Sequence, residues 1–384
     1  MKIGIFGGSF DPVHIEHVRL AERAIDELHL DKLLIMPAFA PPHKPYKVLA
    51  PDADRLQMCR LAFANVKKAE VCDFEMQQGG TSYTYLTCRH FRNEYPNAQL
   101  FWLVGTDMLR DFPTWKNPES ILNDATLAVC ARNENESWLE KERAAFYTRF
   151  QKDFAVISYN GADVSSTQIR VLAGAGENIA HLVGEKVADY IKANGLYQIK
   201  NAALALSGET PKRKAHSLRV ALVAAKRCST LPILERSAIA AALFHDCAKN
   251  ILPTDERLNG LALPSEWGQV PESVWHQFAG AYLCEHAFGV EDEDILNAIR
   301  YHTSGRENMS VLEKLIFLAD MVEEERSYDV VENIRAAFWK QGEENLDKCL
   351  RLALNETVAF LKRKNAYVYP LTELACAYYQ KKGE

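Results

Sequence analysis

Paired cysteines are missing from this chain: its nine cysteines are scattered and show no CxxC spacing. An odd count without pairs reads as reduced thiols of a cytoplasm rather than a disulfide framework. The opening residues, MKIGIFGGSF, lack the apolar core of a signal peptide. No apolar run approaches the length of a membrane span. A basic excess is missing too. The net charge of −6 argues against a general binder of nucleic acid or membrane surface, since both are anionic, and makes any phosphate binding a local matter. Repeats and low-complexity segments are absent. What is present is 384 residues, 48% of them apolar, too many for one ordinary core and comfortable for two domains.

The two halves follow different patterns. Strand-like runs occur at KIGIF (2–6), KLLIM (32–36), AEVCDF (69–74), LFWLVG (100–105), TLAVCA (126–131) and FAVISY (154–159), with helical patterns such as HVRLAERAIDEL (17–28) and DRLQMCRLAFAN (54–65) between them. Alternation of this kind predicts a parallel sheet with helices on both faces. After VADYIKANGLY (187–197) the pattern changes. The stretch ALSGETPKRK (205–214) reads as a linker or entry loop, and the linker is bounded at 198–212. Beyond it nearly all periodicity is helical, which predicts an all-α bundle over 213–384.

The first strand runs into GGSFDPVHIEH (7–17). Gly7 and Gly8 clear space beside the backbone, and Asp11-Pro12 suits a turn into a helix. A helix start offers free N–H groups to phosphate. His14 and His17, three apart, share one helix face and can donate hydrogen bonds to phosphate oxygens. Much later, Ser165-Ser166-Thr167-Gln168-Ile169-Arg170 combines a capping pattern with an arginine in the first helical turn, which hints at an anion there.

GGSFDPVHIEH resembles the GG(S/T)FDPxHxGH signature of the nucleotidyltransferase superfamily, and VSSTQIR resembles its second phosphate motif, ISSTxIR. With PPHKPYK (41–47), TSYTYLT (81–87), WLVGTDML (102–109) and FPTWK (112–116) in order, residues 1–197 look like a bacterial nicotinate-mononucleotide adenylyltransferase. The resemblance implies a Rossmann-like α/β domain. It implies ATP held by Gly7, Gly8, Ser9, Phe10, His14, His17, Ser165, Ser166, Thr167 and Arg170, with Lys44 also on the triphosphate and Mg²⁺ accompanying it. It places Thr84, Asp107, Trp115 and Arg132 around the nicotinate nucleotide. Judged alone, Trp115 is equally well read as a core aromatic. One position departs from the family: Glu16 stands where HxGH has glycine. A carboxylate beside phosphates would repel them, but a side chain roughly 100° round the helix from its neighbours is expected to face solvent.

The second half carries His216, His245, Asp246, His276, His302 and Asp320, each on its own helical pattern or helix end, with His245 and Asp246 adjacent. A buried aspartate needs a partner, and a metal ion supplies one. Imidazole and carboxylate together suit iron, manganese or zinc. His286, ten positions beyond His276, points off that face and is left out. The order H…HD…H…H…D, with AALFHDCAK, WHQFAGAYL and LADMVEEER, resembles the YqeK-type HD-domain hydrolases, which split diadenosine tetraphosphate into two ADP. That resemblance implies an HD helical bundle and a site of two transition-metal ions, iron favoured, with Asp246 bridging them and Arg326 retained. Lys249 and Arg306 are candidate phosphate clamps, although solvation is the plainer role for each alone.

The expectation is a cytoplasmic bifunctional enzyme acting on ATP, nicotinate mononucleotide and diadenosine tetraphosphate, and on neither nucleic acid nor membrane. The alternatives are the same folds with other nucleotide substrates, or one half serving as a non-catalytic nucleotide-binding module.

Overall fold

The structure is a computed structural model and describes residues 1–41, 48–132, 136–263 and 268–382. Two compact units emerge. The first holds most of residues 1–169 together with Ile179–Leu196, and the second holds Arg170–Asn178 and the chain from Tyr197 on.

The first unit is built on a six-stranded, all-parallel sheet. Its strands are β1 (Lys2–Gly8), β2 (Lys32–Pro37), β3 (Ala69–Val71), β4 (Gln99–Gly105), β5 (Thr126–Arg132) and β6 (Ala155–Tyr159). All six expected strands form, because runs such as Leu33–Met36 are apolar on both faces and both faces are covered. The run 69–74 is cut short: β3 lies at the sheet edge and Phe74 already opens a helix. Helices fill the connections: α1 (Ile15–Glu27), α2 (Asp52–Phe63), α3 (Phe74–Gln78), α4 (Thr84–Glu94), α5 (Thr106–Asp111), α6 (Pro118–Asp124) and α7 (Glu136–Phe150); α8 (Ser166–Gly174), whose residues from Arg170 on are grouped with the second unit, α9 (Ala180–Val183) and α10 (Glu185–Ala193) follow β6. The strand order β3-β2-β1-β4-β5-β6 reverses between β1 and β4. In such doubly wound sheets the crevice beyond the strand ends at that reversal is where ligands bind.

The second unit is helical: α11 (Ala202–Ser207), α12 (Pro211–Cys228), α13 (Glu235–Phe244), α14 (Glu272–His286), α15 (Glu293–Arg300), α16 (Val311–Val322), α17 (Val331–Phe338), α18 (Glu343–Arg363) and α19 (Pro370–Lys381). The stretch read as a linker holds α11, whose Ala202, Ala205 and Leu206 are buried in this unit's core. Their helical spacing is masked in the sequence by the Ser, Gly, Thr and Pro that follow. Helix α13 sits at the centre, with every residue from Ala238 to Phe244 buried. Helix α12 starts at Thr210, whose hydroxyl accepts from Arg213 N at 3.3 Å, with proline in the first turn. Helix α16 starts with a capping box between Ser310 and Glu313. Among the described residues no helix is long and apolar enough to cross a membrane.

Candidate functional site

In the first unit, β1 delivers the chain to the reversal point and α1 leaves from it. His14 is the N-cap residue of α1, in extended backbone, and His17 stands in the first turn. The His14 N–H donates to His17 Nδ1 at 3.1 Å, and the two rings stack with centroids 3.6 Å apart. Since Nδ1 accepts, the proton of a neutral His17 is assigned to Nε2, which is left to donate. Burial, and then the neighbouring His14, hold the His17 imidazole well below its usual pKa, so it is neutral near pH 7.

The glycines beneath serve packing. A Cβ on Gly7 would lie 2.8 Å from the indole of Trp102, a buried residue of β4. Phe10, expected beside the nucleotide, has its ring in the core at 2% exposure, edge-on to His17 with centroids 5.0 Å apart. It supports the imidazole from behind. Arg55 of α2 is fully buried and was not singled out from the sequence. Its guanidinium donates to Ser9 O (2.9 Å), Ala38 O (2.7 Å), Ala50 O (3.1 Å) and Asp52 Oδ1 (2.5 Å), which braces the loop after β1. The segment has almost no amphipathic periodicity, so nothing in the sequence marks this arginine as inward-facing.

The second motif joins the first through Ser166, whose Oγ donates to Pro12 O at 2.9 Å, while Ser165 Oγ caps α8 by accepting from Gln168 N at 3.2 Å. Thr167 follows in the first turn of α8. Arg170 is grouped with the second unit, where its Nε donates to Glu235 Oε1 at 2.5 Å. The anion inferred beside it is, in this structure, a carboxylate. Asp107 begins α5 directly beyond β4 and is almost fully exposed, 4.0 Å from Arg110. Arg132 closes β5. Thr84 begins α4 just after the bridge between Ala40 and Thr81. Trp115 ends a short 3-10 turn and rests its ring 5.4 Å from Phe112. Lys44 lies outside the described residues.

Glu16 corrects the expectation of a solvent-facing side chain: it is 5% exposed. Its carboxylate accepts from the Tyr159 hydroxyl, from Ala162 N at 3.1 Å and from Arg19 Nη1 at 2.6 Å. A Cβ on Gly161 would meet it at 2.5 Å. This side of α1 packs against β6 rather than facing water, so the carboxylate ties the loop after β6 to the helix start.

In the second unit the six expected ligands converge. His216 comes from α12, His245 and Asp246 from the end of α13, His276 from α14, His302 from the turn after α15 and Asp320 from α16. Three overlapping groups have donor atoms within 4.8 Å of one another: His216, His245 and Asp246; His245, His302 and Asp320; Asp246, His276 and His302. The two oxygens of Asp246 face different partners. Oδ1 lies 3.3 Å from His276 Nε2 and 3.6 Å from His302 Nε2, whereas Oδ2 lies 3.6 Å from His245 Nε2 and 3.9 Å from His216 Nε2.

The other ring nitrogens are anchored. His245 Nδ1 is 2.6 Å from Ala242 O, His302 Nδ1 is 2.8 Å from Ile299 O, and His216 Nδ1 is 3.2 Å from Glu323 Oε1. Donation of Nδ1–H to these oxygens leaves each Nε2 lone pair for the interior. Buried Gln277 pins the turn carrying His302 by accepting from Thr303 N and Ser304 N at 3.1 and 3.0 Å. Burial pushes His245 and His276 down to about 4, so both are neutral and ready to ligate. For Asp246 and Asp320 burial works upward. Neighbouring imidazoles around Asp246, and His216 with Arg326 around Asp320, outweigh it and keep both ionised.

A metal fits this donor set. His245 Nε2 is buried and makes no hydrogen bond, and imidazole nitrogens and carboxylate oxygens converge on one another within ligand range, a mixture of donors that suits a transition metal. Lys249 reaches the cluster, with Nζ 3.1 Å from His276 Nε2. Arg306 does not: its Nε and Nη2 bind the two oxygens of Glu313 at 2.6 and 2.9 Å, the cap residue of α16. His286 stays apart, exposed and stacked on Tyr282. Two arginines do reach the carboxylates. Arg213 Nη1 is 2.5 Å from Asp246 Oδ2, and Arg326 binds Asp320 through its side chain and through Nε to Asp320 O at 2.9 Å. Arg213 was passed over in the sequence, although its place three residues before His216 on one helix face was legible.

Residues 5–172 match the Cytidylyltransferase-like family, and residues 213–325 match the HD domain family. A Clostridium tetani protein named a probable nicotinate-nucleotide adenylyltransferase is 37% identical over 198 residues, which are 51% of this chain and 99% of that one. A Mycoplasma genitalium protein named a probable nicotinate-nucleotide adenylyltransferase/Ap4A hydrolase is 29% identical over 92% of this chain and 93% of its own. A crystal structure titled an HD superfamily hydrolase involved in NAD metabolism, from Clostridium acetobutylicum, is 31% identical, covers 48% of this chain and 96% of its own, and superposes with a TM-score of 0.41. The chain belongs, through its first half, to the nicotinate-nucleotide adenylyltransferase family, and carries an HD domain in its second.

Proposed function

We propose that this chain is a bifunctional nucleotide enzyme. Its first half transfers AMP from ATP to nicotinate mononucleotide, giving deamido-NAD and pyrophosphate. Its second half hydrolyses diadenosine tetraphosphate symmetrically to two ADP. The Mycoplasma relative, whose name joins both activities and which this chain matches over 93% of its length, supports the pairing. Residues 1–197 and 213–384 remain the proposed division, with α11 given to the second part.

In the first half the mononucleotide phosphate attacks the α-phosphorus of ATP and pyrophosphate leaves. The stacked His14 and His17 at the start of α1 are the observation that carries this reading. His17 donates from Nε2 toward the charge that builds on the phosphate, while the helix start and the Ser165–Thr167 turn offer N–H groups. Mg²⁺ is expected with the triphosphate. Glu16 does not stand against this, because its charge is taken up by Tyr159, Ala162 N and Arg19.

In the second half, Asp246 carries the reading, since its two oxygens face two sets of imidazoles. His216, His245, Asp246 and Asp320 would hold one transition metal, and Asp246, His276 and His302 a second, with iron the favoured ion. Bound there, the ions would lower the pKa of a water and offset phosphate charge. The chain's own share is to fix the ring tautomers through Ala242 O, Ile299 O and Glu323, and to bring Lys249 to the site. Nine unpaired thiols and nucleotide substrates suit the cytoplasm.

The test is product analysis on the purified chain. ATP and nicotinate mononucleotide should give deamido-NAD, abolished in His17→Ala. Diadenosine tetraphosphate should give ADP alone, abolished in Asp246→Ala. Formation of ATP with AMP, or activity surviving these substitutions, would overturn the corresponding half.

A further inference from the structure

We propose that Arg213 and Arg326, which reach the Asp246 and Asp320 carboxylates from the rim of the donor cluster, bind the polyphosphate of the second unit's substrate. This rests on the hydrolase reading above. Arg213 stands in the first turn of α12 and Arg326 in the turn after α16, so the two guanidinium groups enter from different elements. Their side chains are 30% and 39% exposed, whereas the carboxylates they meet are 4% and 19% exposed. Each therefore has its stem at the rim and its charge directed inward.

The choice of partner separates these arginines from their neighbours. Arg219 is paired with Glu323 and Glu325, and Arg306 with Glu313. None of those glutamates belongs to the clustered donor groups. Arg213 and Arg326 make their shortest ion pairs with aspartates that do, although Arg326 Nε also lies 3.9 Å from Glu323 Oε1. A divalent ion among those donors would take over the aspartate charge and repel both guanidinium groups at contact range. The same planar fork that fits a carboxylate fits a phosphate, so an anionic ligand arriving at the site supplies the replacement partner. Lys249, partly buried beside His276, adds a third positive group on the same side of the balance. On a chain of net charge −6, a substrate with four bridged phosphates needs such a local concentration of cations.

The experiment uses the full chain, stripped with chelator and reloaded with manganese, as wild type, Arg213→Ala, Arg213→Lys and Arg326→Ala. Three quantities are read: manganese uptake by electron paramagnetic resonance, KM and kcat for diadenosine tetraphosphate, and inorganic phosphate binding from broadening of its phosphorus resonance. The alanine variants should take up manganese as well as or better than wild type. Their KM should rise roughly ten- to hundredfold, the range for losing a charge-assisted hydrogen bond, with weaker phosphate binding and a smaller change in kcat. Arg213→Lys should fall between. Weaker manganese uptake with unchanged KM and phosphate binding would show that the arginines only support the aspartates and would overturn the proposal, as would no change in any reading. If the loaded wild-type chain leaves diadenosine tetraphosphate intact, the hydrolase reading fails. Phosphate binding then decides alone: weaker binding in the variants sustains the clamp, and equal binding ends it.

Discussion

Glu16 gives the sharpest test of how the first unit is built. Replacing it with alanine removes the acceptor for the Tyr159 hydroxyl and for Ala162 N. Tyr159 is 9% exposed, so its hydroxyl regains little water. Leaving a buried donor without a partner costs about 1–3 kcal/mol, which applies to the Tyr159 hydroxyl, whereas Ala162 is exposed and its N–H can turn to water, so the expected loss is about 1–3 kcal/mol. Losing Arg19 adds little, because that arginine is 57% exposed and its pair is screened. For a unit of this size the expected fall in Tm is about 2–12 °C. Glu16→Gln keeps an oxygen for Tyr159 and Ala162 and should lose about 1 kcal/mol or less. Hydrogen exchange of the peptide spanning 154–164 should rise sharply in Glu16→Ala and barely in Glu16→Gln. Unchanged exchange in the alanine variant would refute the reasoning. So would tighter ATP binding in Glu16→Gly, since that is the outcome if the carboxylate chiefly repelled phosphate.

Three further outcomes follow from the geometry. Glu323→Ala frees His216 Nδ1, and metal affinity of the second unit should fall roughly ten- to hundredfold, measured by competition with a chromophoric chelator. Gly7→Ala drives a methyl into Trp102 and should cost about 1–3 kcal/mol in denaturant unfolding of the first unit. Burial lowers the folded pKa of His245 and His276 to about 4, so the unfolded chain binds the extra protons first as pH falls. The metal-free second unit should therefore lose stability between about pH 6.5 and 4, by roughly 3 kcal/mol per histidine at the lower end, and regain it on raising the pH. A flat stability profile across that window would contradict the burial of these rings.

Sequence alone determined the strand–helix alternation of the first half, the helical second half and the six residues of the donor cluster. Those signals are local: fully apolar runs such as KLLIM, and histidines or aspartates set into helices that otherwise have no use for them. What tertiary structure decided is every matter of facing. Glu16 turned inward because α1 packs on β6, Phe10 entered the core behind His17, and Arg170 met Glu235. The helix Ala202–Ser207 emerged from an apparent linker because three apolar residues found a core to enter. Arg213 reached Asp246, and Arg306 was drawn to Glu313 instead. A side chain's periodicity is written in its own segment, but its partner is set by whichever element the fold brings opposite.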